Sequence, residues 1–185
     1  DPSTKDAATL GGMIANNSSG PHAVKYGTTR SQVRSLELVL SSGEIVQTGP
    51  RALPAGAADA YGVPQTLEDR LYRDIPVILN DYSKYMELER PFTTKNSCGY
   101  HVWDLIEDGF LDLTAMLVGS EGTLALVSEA TLRLTPVPKE TLSGFVYFDD
   151  LSKVGEASQQ ILEEGPSMIQ IMEKHILDQS REQQP

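Results

Sequence analysis

The sequence predicts an α+β fold, an antiparallel sheet lobe with flanking helices followed by the start of an α/β unit, and three patterns carry that prediction. Apolar residues alternate along SLELVLSSGEIVQ, residues 35–47, around a Ser42-Gly43 turn, which is the signature of a β-hairpin. A long helical period runs from Thr66 to Leu88 through Leu67, Leu71, Ile75, Leu79 and Met86. From Leu142 the order changes to strand, helix, break, short strand and helix, unlike the antiparallel middle.

Each element has its local reason. In the hairpin, Leu36, Leu38 and Leu40 share one face of the first arm, and Ile45 and Val46 resume after the turn. Residues 50–63 are rich in Ala, Gly and Pro and read as a loop. Thr66 is placed to cap the long helix with Asp69 at the capping-box position, and Pro76 is expected to split it in two. Residues 100–118 read as short helices with apolar stripes. TLALVSEATLRL, residues 123–134, is β-rich and stops before Pro136 and Pro138. The carboxy-terminal part is expected as a strand over 142–148, a helix over 151–164, a break at Gly165-Pro166, a short strand from Met168 into a helical start at Ile176, and a polar tail. A domain boundary is therefore expected near residue 138, dividing the chain into 1–138 and 139–185. The charge changes there too, since residues 140–185 hold nine acids and three bases and supply −6 of the net charge of −11.

Composition narrows the function classes. The 185 residues are 39% hydrophobic and 22% charged, within the range of chains that fold around a core. Fifteen Lys and Arg face 26 Asp and Glu, which argues against a nucleic-acid surface built on general basicity. No stretch approaches the roughly 18 apolar residues that span a bilayer, and the first residues lack the basic and apolar parts of a signal peptide. A cytoplasmic location is expected, with peripheral attachment to the inner face of the membrane left open. The single cysteine, Cys98, has no partner for an internal disulfide and no ligand spacing for zinc; no metal site is expected.

The chemistry concentrates in two stretches. Residues 7–36 contain no Asp or Glu, yet hold Gly11, Gly12, Gly20 and Gly27, the polar run Asn16-Asn17-Ser18-Ser19, and the bases Lys25, Arg30 and Arg34. A loop that cradles an anion needs these features: glycines for close backbone approach, amide and hydroxyl donors, and no competing carboxylate. The alternative is plain turn sequence. There is no GxGxxG opening a βαβ unit and no GxxxxGK[ST], so a Rossmann or P-loop cradle is excluded. The second stretch is Val118-Gly119-Ser120-Glu121-Gly122-Thr123 running into Leu124-Ala125-Leu126-Val127, a glycine-flanked turn that feeds a strand with main-chain groups to offer.

Together, in this order and about 70 residues apart, GGMIANNSSG with Tyr26-Gly27 and GSEGTLALVSEATLRL resemble the FAD-linked oxidases of the vanillyl-alcohol oxidase/p-cresol methylhydroxylase fold. Within that fold the likeness is to the D-lactate dehydrogenase and glycolate oxidase flavin subunit branch. The resemblance implies an FAD-binding PCMH-type domain in residues 1–138 and the beginning of a substrate or cap domain in 139–185. It implies FAD as cofactor, with Ser3, Thr9, Gly11, Gly12, Asn16, Asn17, Ser18, Ser19 and Gly20 along the flavin ring and diphosphate, and Tyr26 and Gly27 at the return of the loop. Glu121, Gly122, Thr123, Leu126 and Val127 match the strand that contacts the adenosine half. The implied reaction is oxidation of a 2-hydroxy acid, such as D-lactate or glycolate, with its α-hydrogen passing to flavin N5. An iron–sulfur module or a quinone is the implied electron acceptor, and a homodimer remains open.

The segment TKNSCGYHV resembles the KN-x-x-GY-x-L pattern of that branch, with Val102 in place of Leu, so Lys95, Asn96 and Tyr100 are placed toward the flavin or the substrate carboxylate, or else Lys95 is a solvated loop residue. Cys98 reads as a small buried residue and His22 as a polar loop residue. The resemblance further implies a diphosphate-binding lobe upstream of Asp1 and a His/Gly/Asp-rich motif downstream in a C-terminal half; His22, His101 and His175 match none of that motif. The expectation is a central fragment whose catalytic base lies elsewhere, with apolar surface exposed at Met13, Ile14 and Val24. Two other readings stay open: a sugar-oxidising or alkyl-dihydroxyacetone-phosphate type oxidase of the same fold, and a non-catalytic scaffold fragment.

Overall fold

The computed structural model describes residues 2–53, 63–93 and 95–183. Three short helices open the chain, α1 (Leu10–Ala15), α2 (Ala23–Tyr26) and α3 (Thr29–Gln32), and α3 runs directly into strand β1 (Val33–Val39). β1 is the centre of a three-stranded antiparallel sheet, flanked by β2 (Ile45–Gln47) and β6 (Leu126–Leu132). The expected hairpin is present: Leu40 and Glu44 close a three-residue loop in which Gly43 takes φ 86°, a left-handed position that glycine fills without strain.

The alternation expected for β1 puts Leu36, Leu38 and Leu40 into the core, and Val46 lies opposite Leu38 on β2. On the other side Leu36 pairs with Ala130 and Leu38 with Val127, so Ser128 is an extra residue that bulges from β6. Ser128 Oγ donates to Glu37 Oε1 at 2.9 Å. That bond, with Gln47 Nε2 donating to the same carboxylate, offsets the direct opposition of Glu37 and Glu129 across the ladder.

Behind β1 lies α5 (Thr114–Leu117). A buried polar joint ties them: Leu36 N donates to Thr48 Oγ1 at 2.9 Å, and Thr48 Oγ1 shares a 2.7 Å bond with Thr114 Oγ1. Both hydroxyls are thereby satisfied inside the core, as burial requires.

The long helix α4 (Leu67–Leu88) starts where expected. Thr66 accepts from the Asp69 amide and Asp69 accepts from the Thr66 amide, and the hairpin turn contributes as well, because the Glu44 carboxylate accepts from Leu67 N. The expected split at Pro76 is not found; α4 is continuous through it. The proline removes one helical hydrogen bond, to the Tyr72 carbonyl, while Leu67, Leu71, Ile75 and Leu79 pack on the core on both sides of it.

Two further expectations are corrected. Residues 100–118 are not a series of helices. They hold strands β4 (Ile106–Glu107) and β5 (Phe110–Leu111), and only Thr114–Leu117 is helical. The two-residue turn Asp108-Gly109 has φ 49° and 80°, the left-handed pair a tight hairpin uses. β5 also pairs with β3 (Arg51–Ala52), so part of the expected 50–63 loop is a short strand, and residues 54–62 lie outside the described residues. Beyond β6, residues 142–148 and 168–173 form no strand, because among the described residues no neighbouring strand supplies the ladder. The helices of that region do form, as α6 (Ser152–Glu163) and α7 (Lys174–Gln183), and α7 takes in most of the polar tail. Among the described residues no helix is long and apolar enough to cross a membrane.

Candidate functional site

The two motif stretches, separated by the whole hairpin and α4, meet in space. Gly119 N donates to Ile14 O at 2.9 Å and Glu121 N donates to Ala15 O at 2.8 Å, so the GSEG turn is hydrogen-bonded onto the last residues of α1.

Asn17 is the centre of this junction. It is 1% exposed and sits at φ 50°, a conformation asparagine tolerates better than most residues. Its side-chain oxygen accepts from Arg30 N at 2.9 Å, and its Nδ2 donates to Asn96 O at 3.3 Å. Arg30 then fans out from α3: Nε donates to Ala115 O at 3.0 Å, one terminal nitrogen to Val118 O at 2.8 Å and the other to Asn96 O at 3.3 Å. One carboxamide and one guanidinium thus bind four chain segments: the polar loop, α3, the Asn96 segment and the end of α5. Burial lowers the Arg30 pKa from its ordinary value, since the charged form gives up water.

Gly119 fits this joint for a steric reason. At φ 94°, a Cβ there would meet Arg30 Nη2 and Asn17 Cβ, each at 3.2 Å. The next turn, Ser120–Thr123, carries Glu121 at φ 54° and Gly122 at φ 76° and closes with Thr123 N on Ser120 O at 2.9 Å. Thr123 Oγ1 shares a 2.8 Å bond with Tyr100 OH, which brings the Asn96–Tyr100 segment to the same turn.

While this side of the loop is locked, the other is open. Thr9, Gly11, Gly12 and Asn16 are exposed, and Ile14 and Asn17 are buried. Thr9 Oγ1 caps α1 by accepting from Gly12 N, and a side chain on Gly11 would project into empty space. Ser18 Oγ donates to Asn16 Oδ1 and Ser18 O accepts from Thr29. Ser19 Oγ is buried without a hydrogen-bond partner among the described residues, an unmade hydrogen bond of the kind a ligand or a bound water satisfies. Ser3 is exposed in the turn before α1, Gly20 is half-buried, and Tyr26 O receives Ser31 Oγ and Gln32 Nε2. Gly27, at φ 74°, has no room for a Cβ against Ser31 Oγ. Leu126 and Val127 open β6, which is an edge strand of its sheet. An acid-free loop with open glycines and an unsatisfied hydroxyl, beside a strand with a free edge, fits a ligand that presents phosphates and a flat ring.

Several side chains differ from expectation. Cys98 is exposed rather than buried, because its segment turns outward where Cys98 N donates to Asn96 Oδ1. Asn96 enters the joint through its carbonyl, and Lys95 is exposed. Of the apolar residues expected at the surface, Val24 is exposed and Met13 half-buried, but Ile14 is in the core, since α1 has the GSEG turn packed over that face. Arg30 is the residue whose role the sequence did not give; its position among the bases of the acid-free stretch was the available signal.

With this geometry in view, comparison with known proteins is informative. Residues 1–49 match the FAD binding domain family. D-2-hydroxyglutarate dehydrogenase of Pantoea ananatis is 30% identical over 182 residues, 97% of this chain and 18% of that protein. D-lactate dehydrogenase of Archaeoglobus fulgidus is 30% identical over 177 residues, 94% of this chain and 28% of its own length. Glycolate oxidase subunit GlcD of Bacillus subtilis is 28% identical over 162 residues, 88% of this chain and 23% of the relative. The chain therefore spans between about a sixth and just over a quarter of these curated relatives. The resemblance to the FAD-linked oxidases of the D-lactate dehydrogenase and glycolate oxidase branch is borne out, as is the α+β class, and FAD is the cofactor the matched domain binds.

Proposed function

We propose that this chain, whose first 49 residues match an FAD binding domain, supplies the cofactor-holding part of an FAD-dependent oxidoreductase that oxidises 2-hydroxy acids. The observation that carries the reading is the junction of the two motifs: Ile14 and Ala15 carbonyls bonded to Gly119 and Glu121, with Asn17 and Arg30 sealing it from behind. The open face beside it is where Thr9, Gly11, Gly12, Asn16, Ser18, Ser19 and Gly20 would hold the flavin and diphosphate. Tyr26 and Gly27 would shape the return of the loop, and Ser3 would approach from the preceding turn. Glu121, Gly122, Thr123, Leu126 and Val127 would offer main-chain groups to the adenosine half.

When bound, FAD supplies the two-electron acceptor for the α-hydrogen of the substrate. The residues of this chain do the rest of what is assigned here. They bind and orient, and the absence of Asp and Glu from residues 7–36 keeps repulsive charge away from the diphosphate. Substrate class follows the relatives, which are named for D-2-hydroxyglutarate, D-lactate and glycolate. Residues 139–185 are read as the beginning of a substrate or cap domain, and an iron–sulfur module or a quinone as the electron acceptor.

Titrating FAD into the flavin-stripped protein that carries this segment tests the cofactor half. Saturable perturbation of the visible flavin band is expected, and a folded protein that leaves the band unchanged contradicts the reading. In the protein that carries this segment, D-lactate, glycolate or D-2-hydroxyglutarate added without oxygen should bleach the band; bound flavin that none of them bleaches contradicts the substrate class.

A further inference from the structure

The two halves of α4 face different surroundings. Leu67, Leu71, Ile75 and Leu79 lay the first half on the core, whereas Val77, Ile78, Tyr82, Tyr85 and Leu88 are 44 to 73% exposed. Ile78, Tyr82, Tyr85 and Leu88 succeed one another at intervals of three or four residues, which sets them on one side of the helix, with Val77 at its border. The rings of Tyr82 and Tyr85 rest near each other, with centroids 6.5 Å apart. Single exposed apolar residues are ordinary on a protein surface, but a contiguous row marks a contact.

The charges on this face say what it contacts. Asp81 and Lys84 lie in the same row, between Val77-Ile78 at one end and Tyr85 and Leu88 at the other. Neither has an ion pair among the described residues. Asp74, one turn before Ile78, is already bonded to Arg73, and Glu87 falls half a revolution from Ile78 at about 3.6 residues per turn. The row therefore reads apolar, acid, base, apolar, and it is complementary to its own reverse. About a two-fold axis between Tyr82 and Ser83, antiparallel pairing sets Val77 opposite Leu88 of a second copy and Asp81 opposite Lys84 of that copy, twice over. Parallel pairing would oppose Asp81 with Asp81.

We propose that the Val77–Leu88 face of α4 is an isologous interface on which a second copy of this chain packs its own α4 antiparallel. The apolar side chains supply the attraction, and the Asp81–Lys84 pairs fix direction and register. The net charge of −11 opposes self-association in general, yet this face carries one acid and one base, so two copies meet here without net repulsion. Residues 77–88 span about 18 Å, which places the contact among the smaller, reversible interfaces. The inference stands on α4 and not on the cofactor reading.

Sedimentation equilibrium of the whole protein that carries this segment tests it. The wild type should associate reversibly in pairs. Tyr85→Glu, at an exposed position, should weaken that association by at least about tenfold, through lost apolar contact and a new charge. Asp81→Lys and Lys84→Asp should each weaken it by about tenfold, because two opposite-charge pairs become like-charge pairs. An equimolar mixture of the Asp81→Lys and Lys84→Asp proteins should associate nearly as well as the wild type, since each copy again meets its opposite charge. Circular dichroism on each variant confirms that it is folded. A wild type that stays monomeric throughout the concentration series overturns the proposal, as does an association that Tyr85→Glu leaves intact. A mixture that associates no better than its separate components overturns it as well.

Discussion

The region up to β6 and the region beyond it were built from similar raw material and came out differently. In the first, β1 lies between two partners and Leu36 is fully buried; in the second, Leu142 is 100% exposed, Tyr147 87% and Phe145 76%. Both stretches have apolar residues at strand-like spacing. What differs is the partner: a helix closes its hydrogen bonds within itself, so α6 and α7 form locally, whereas a strand completes its bonds on a neighbour. Residues 142–148 have the pattern without the ladder.

That contrast ranks the effects of substitution. The largest is expected at the centre of the sheet, where Leu36→Ala should cost about 2 to 5 kcal/mol in urea denaturation. The equivalent truncation in the other region, Phe145→Ala, should change stability by no more than about 0.5 kcal/mol, because its side chain is mostly exposed; a large loss there would show that this segment is buried in solution. Next comes the joint: Gly119→Ala forces a side chain into a left-handed conformation against Arg30 and Asn17, at a cost of about 1 to 3 kcal/mol, and should weaken FAD binding along with stability. Thr66→Ala removes the hydroxyl half of the α4 capping box and is expected to cost about 1 kcal/mol, read as the same denaturation midpoint shift.

The smallest expected effect is a pH dependence at His101. Burial first, and the positive Arg30 and Arg90 nearby, lower its pKa from the ordinary 6.5, with Asp104 acting in the opposite sense. The unfolded chain therefore binds more protons between the lowered value and 6.5, so stability from this group is complete above the ordinary pKa and is lost as pH falls through that window. Urea midpoints from pH 8 down to pH 5 should decline, and His101→Gln should flatten that slope.

Much of the first region was legible because its signals are local. The leucine alternation at 36, 38 and 40, the Thr66–Asp69 box and the β-rich run ending before Pro136 each specify an element from adjacent residues. The resemblance set both glycine motifs along FAD, but their direct meeting was not legible, because hydrogen bonds between Ile14 and Gly119 leave no trace in either stretch alone. Asp108-Gly109 was a readable hairpin signal, overridden by the apolar spacing around it. Arg30 shows the other limit: its three acceptors are backbone carbonyls, and every residue has one, so no residue type at 96, 115 or 118 announces the contact. The Pro76 expectation failed because packing on both sides of the proline outweighs one missing hydrogen bond.

The central claim is that Asn17 and Arg30 act as one unit that joins the two motifs into a flavin site. A double-mutant cycle with Asn17→Ala and Arg30→Gln, read both in urea stability and in FAD affinity, tests it most directly. The account predicts an interaction energy of about 1 to 3 kcal/mol in stability, with the double variant losing little more flavin affinity than either single one. Additive losses in both measurements would contradict it.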